Sequence, residues 1–122
     1  MKASEKQLTL GELISILKRK DQDLDITFDF VHFRPCGAHS YRGYYEDLAI
    51  GYQSGGETKV RDLLKKLEDA CGAEFNGYKG GEYTMHEGTP VWVANSNESG
   101  GTAIVDVVDD EWRVILKTEM VD

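Results

Sequence analysis

The sequence predicts an α+β domain: a mainly antiparallel sheet of four to six strands with two amphipathic helices packed on one face. Three observations lead there. Two segments carry apolar residues at helical spacing, and several others are short apolar or alternating runs. In the C-terminal half these runs are parted by turn residues rather than by crossover helices. A length of 122 residues fits one domain, residues 1–122, and 40% hydrophobic content supplies a core without a metal or disulfide staple.

The first helix is announced by Thr9-Leu10-Gly11-Glu12, a T-x-x-E capping box followed by Leu13, Ile14 and Leu17. Lys18, Arg19 and Lys20 suit its negative end, and Gly11 is a small cost in the first turn. In 24–30, Leu24, Ile26, Phe28 and Phe30 alternate with Asp25, Thr27 and Asp29, as in a half-buried strand. The stretch 32–45 is rich in aromatics and turn formers, and 48–52 reads as the second strand. A second helix is expected over 59–71 with Thr58 as N-cap, an apolar stripe of Val60, Leu63, Leu64, Leu67 and Cys71, and Gly72 beyond its end. Short strands are expected near 83–85 and 91–94, then a hairpin of 103–108 with 112–116 turning at Asp109-Asp110. The expected core is Leu13, Ile14, Leu17, Ile26, Phe28, Phe30, Leu63, Leu64, Leu67, Trp92, Ile104, Val114 and Leu116.

Acidic residues outnumber basic ones 22 to 14, for a net charge of −8. Such a surface repels nucleic acid and anionic lipid at long range, so nonspecific nucleic-acid binding is disfavoured. No apolar run approaches a membrane span, and the first residues carry no apolar signal core. A cytoplasmic setting is expected, with Cys36 and Cys71 as reduced thiols.

The segment His32-Phe33-Arg34-Pro35-Cys36-Gly37-Ala38-His39-Ser40-Tyr41-Arg42-Gly43-Tyr44-Tyr45 is the least ordinary. Arginine presents a planar fork of donors to phosphate, and tyrosine presents a ring to a base. A ligand-binding set is therefore expected among Arg34, Tyr41, Arg42, Tyr44 and Tyr45. Lys79 beside Gly80-Gly81 and Asn95 join it as parts of flexible, glycine-rich loops. A tyrosine-rich hairpin or an oligomer interface draws on the same residue types, and composition favours that plainer reading. His32, Cys36 and His39 do not have a standard zinc spacing, so no metal or cofactor is expected. A Cys36–His39 dyad and the scattered carboxylates make a weak case for catalysis, and the balance is against an enzyme. Asp23, Asp25 and Asp29, spaced along one strand face, offer a second reading. Their carboxylates could imitate a row of phosphates toward a basic host protein such as a nuclease or CRISPR effector. A homodimer is expected through residues 41–52 and the edges of the C-terminal hairpin.

Phe33-Arg34-Pro35, Ser40-Tyr41-Arg42-Gly43-Tyr44-Tyr45, residues 77–85 and Thr89-Pro90-Val91-Trp92 together resemble small accessory proteins of tailed bacteriophages. The resemblance covers most of the chain. It implies a bacterial host cytoplasm and an anti-defence role, and it brings no catalytic residues. Combined with the residue types, it predicts a non-catalytic protein that sequesters a small anionic, nucleotide-like ligand.

Overall fold

The structure, a computed structural model, describes residues 6–30, 33–41, 44–72, 74–76, 82–94 and 101–121. Helix α1 (Leu10–Lys18) starts where its local chemistry puts it. The Glu12 N–H donates to Thr9 Oγ1 at 3.3 Å and the Thr9 N–H donates to Glu12 Oε1 at 2.9 Å. The next free donors are taken by the turn at 86–89, Leu10 N–H by the Thr89 carbonyl at 2.7 Å and Gly11 N–H by the Glu87 carbonyl at 2.8 Å. Gly11 is there for that approach, since a Cβ would stand 2.9 Å from Glu87 Cβ.

Strands β1 (Asp25–Phe28), β2 (Phe33–Tyr41) and β3 (Tyr44–Ser54) follow, then α2 (Val60–Ala70). After it come β4 (Glu74–Asn76), β5 (Glu82–Thr84), β6 (Val91–Val93), β7 (Gly101–Asp109) and β8 (Arg113–Val121). Six strands form one sheet in the order β1-β8-β7-β6-β3-β2, and β4 with β5 forms a separate pair. The protein is thus α+β and mostly sheet, with two helices among the described residues. The β2–β3, β6–β7 and β7–β8 joins are antiparallel. The β1–β8 and β3–β6 joins are parallel, so the sheet is mixed. Both parallel joins link strands that are not sequence neighbours, which turn signals cannot reveal.

The segment rich in aromatics and turn formers forms β2 and the start of β3, paired from Phe33↔Ser54 to Tyr41↔Tyr44, in line with the tyrosine-rich hairpin that was the plainer reading. Proline survives here because β2 is an edge strand and the register shifts between Pro35 and Gly37.

Alternation sorts the strand side chains into two clusters. Leu48, Ile50, Val91, Val93, Ile104, Val114 and Leu116 join Leu13 and Leu17 of α1 and Leu63 and Leu67 of α2 in the main core. Of the expected core, Ile14 and Phe30 are only half-buried at its margin. Trp92 is buried, but on the other side of its strand, in a small cluster with Ala49 and Ala103.

The two edge strands, β1 and β2, lie against one another, yet no ladder pairs them among the described residues. The lead-in to α2 bridges the gap. Ile26 N–H donates to the Thr58 carbonyl at 2.8 Å, and the Thr58 hydroxyl donates to the Pro35 carbonyl at 2.7 Å. Thr58 is buried and belongs to this seam; it is not the N-cap the sequence pattern suggested. Lys59 occupies the cap position, where its backbone N–H donates to Asp62 Oδ2 at 3.3 Å. Within the sheet β3 lies between β6 and β2, while the β7–β8 hairpin is paired on its outer edges over part of its length, β6 meeting Thr102 and Ala103 of β7 and β1 meeting residues 113–116 of β8.

A cationic groove at the sheet seam

Where β1 and β2 meet, the surface opens into a groove of ≈ 680 Å³. Phe30 and Phe33 form an aromatic wall, with ring centroids 5.6 Å apart, and Tyr52 meets both edge-on at 5.8 and 5.2 Å. Ile115 lines it from β8, flanked on the same strand face by Arg113 and Lys117. Arg34 and the Gly55–Gly56 turn line it as well. Asp29 adds one carboxylate, already engaged by Thr118 N–H at 2.9 Å and the Thr118 hydroxyl at 2.6 Å. Three cations line the groove against Asp29 and against Asp110, whose Oδ2 lies 3.9 Å from Arg113 Nε, which leaves local positive charge on a protein whose net charge is −8.

The cations do different work. Arg34 Nε donates to the Gly55 carbonyl at 2.7 Å, Nη1 to Thr58 Oγ1 at 3.0 Å and Nη2 to Gln53 Oε1 at 3.1 Å. Its guanidinium therefore holds the turn after β3, and a five-donor fork keeps N–H capacity beyond those three bonds. Arg113 and Lys117 lie on β8, exposed. Arg113 stands at the end of a turn fixed by Asp110, whose Oδ1 accepts from Trp112 N–H at 2.8 Å and Arg113 N–H at 2.9 Å. These bonds hold the Asp110 carboxyl below the usual carboxylate range. The turn's contribution is therefore complete at neutral pH and fades only as pH falls through that lowered value.

Gly55 and Gly56 both take positive φ, +77° and +69°. A Cβ on Gly55 would meet open space, whereas one on Gly56 would stand 3.2 Å from Arg34 Nε. Gly55→Ala should cost about 1–2 kcal/mol for the backbone conformation alone. Gly56→Ala should cost more, because it also displaces the guanidinium. Paired denaturant titrations would check this; equal losses in the two variants would mean that Arg34 does not brace the turn.

Of the residues expected to bind ligand, Arg34 lines the groove. Tyr41 and Tyr44 pair at the far end of the β2–β3 hairpin. Seven residues along β2 separate Tyr41 from Arg34, about 23 Å of strand. Tyr45 follows Tyr44 on β3. Arg42, Lys79 and Asn95 lie outside the described residues, as does His32. Cys36 and Cys71 are free and half-buried, and no group of three or more metal-ligating side chains occurs among the described residues.

The acidic row is engaged internally. Asp23 pairs with Arg61, and Asp25 Oδ1 receives Lys59 Nζ at 2.7 Å, the bond that raises the Lys59 pKa above its ordinary value. Asp29 is held by Thr118, and only Asp25 of the three falls within β1.

The sequence reading missed Arg113, Lys117, Phe30 and Phe33 as site residues. Cations alternating with Val114 and Leu116 were visible in the sequence, but their facing Phe33 and Arg34 depends on how the sheet closes. No helix among the described residues is long and apolar enough to cross a membrane. Comparison with family models, curated proteins and solved structures returns no match to this chain.

Proposed function

We propose that this chain is a non-catalytic binding protein that holds a small anionic, flat ligand of nucleotide type in the seam groove. One observation carries the reading: an aromatic wall and exposed cations line the same groove of an otherwise acidic protein. Arg113 and Lys117 supply charge for phosphate, Arg34 adds the N–H groups that its turn does not use, and Phe30 and Phe33 supply apolar ring surface for a base. The volume falls within the range of ligand sites. The resemblance to phage accessory proteins gives the setting we assign: sequestration of a nucleotide signal of host defence in the bacterial cytoplasm. The protein-inhibitor reading stands second, because Asp23, Asp25 and Asp29 already serve Arg61, Lys59 and Thr118.

The test is to incubate the protein with a bacterial nucleotide pool, heat-release what stays bound and identify it by mass. An unaltered nucleotide is expected, and Arg113→Gln should reduce retention about tenfold, the loss of one charge-assisted contact. Recovery of a cleaved product would make the protein an enzyme. An empty protein would end the ligand reading.

A further inference from the structure

We infer that the groove is built for two phosphates one nucleotide apart, so that its ligand class is a dinucleotide rather than a mononucleotide. This rests on the anion-binding reading above. Arg113 and Lys117 are four residues apart on β8 and line the same groove with Ile115 between them. Their Cα atoms are therefore about 13 Å apart. Side chains on a strand stand roughly perpendicular to the sheet, which sets the two charged heads toward two anions rather than one. A charge-assisted contact inside each head leaves roughly 7 Å between the two contacted oxygens. That is the reach between successive phosphates of a nucleotide chain, and too wide for oxygens of a single phosphate.

The rest of the groove suits such a ligand. Ile115 stands between the charges on β8, Phe33 lines the same groove, and Arg34 lines it from β2 beside the turn after β3. Two acids stand near the pair: Asp29, held by Thr118 N–H and hydroxyl, and Asp110, whose Oδ2 lies 3.9 Å from Arg113 Nε as an ion pair. With Arg34 the three cations outnumber these two carboxylates by one.

Calorimetric titration with AMP, ApA and pApA tests the inference on the intact protein. ApA and pApA carry the same two bases and differ by one terminal phosphate. pApA should bind about tenfold more tightly than ApA and than AMP, the gain from one more charge-assisted contact. Arg113→Gln and Lys117→Gln should each erase that gain, and circular dichroism would confirm that both exposed-site variants stay folded. If AMP binds and pApA binds no better, the two-phosphate inference is overturned while the anion-binding reading stands. If pApA gains affinity that neither variant removes, the inference is overturned too, because the second phosphate then sits elsewhere. If none of the three binds, both fall together.

Discussion

Replacing Trp92 with alanine is expected to destabilise the protein by about 3–5 kcal/mol, the usual cost of truncating a buried ring. For a chain of this size that is a fall in the thermal midpoint of roughly 4 °C per kcal/mol. The reason is local. Trp92 is 4% exposed and sits between Ala49 on β3 and Ala103 on β7, its direct partners in the register. These two small side chains make room for the indole and cannot refill its space. Trp92 Nε1 also donates to Asp47 Oδ2 at 2.8 Å, and Asp47 is itself buried. Trp92→Phe keeps most of the ring but removes that donor, and should lose about 1–3 kcal/mol. Thermal unfolding followed by circular dichroism separates the two terms. A Trp92→Ala loss below 1 kcal/mol, on the order of an exposed substitution, would mean that this face is not packed as described.

The second large effect is expected at Thr58. Thr58→Val keeps the shape and removes the hydroxyl that donates to the Pro35 carbonyl and accepts from Arg34 Nη1. Pro35 is buried, so its carbonyl is left without that donor, and the guanidinium loses one acceptor. Together these should cost about 2–4 kcal/mol. Thr58→Ser retains the hydroxyl and should recover most of the loss. Thr58→Val should also weaken pApA binding, since Arg34 and the groove wall share the seam. A valine variant as stable as the serine variant would show that the hydroxyl does not close the sheet.

What could be read in the sequence was what residues a few positions apart determine. Thr9 and Glu12 cap α1 through bonds spanning three residues, and Leu63, Leu64 and Leu67 mark the buried stripe of α2 without reference to anything distant. The β7–β8 hairpin was legible for the same reason. Elsewhere the deciding partner lay far along the chain. Thr58 resembles an N-cap until Pro35 is placed beside it, 23 residues away in sequence. Pro35 and Gly37 argue against a strand until β2 is known to be an edge. Alternation in 24–30 was correct over β1, but it could not show that Asp29 would be occupied by Thr118, 89 residues on. The groove was least legible, because Arg34, Arg113 and Phe30 meet only after the sheet has curled.

The way the sheet closes also bears on how the molecule opens. Between β1 and the lead-in to α2, the bonds are those of Ile26 N–H to Thr58 and Val60 N–H to Leu24. Both amides are buried, but the link they make is an isolated bridge rather than a strand pair. In hydrogen–deuterium exchange these two protons should leave together, at a lower opening free energy than the amides of the long β7–β8 ladder. Their exchange would measure the breathing of the groove itself. A ligand lodged there would slow both protons by the same factor while leaving the hairpin ladder unchanged.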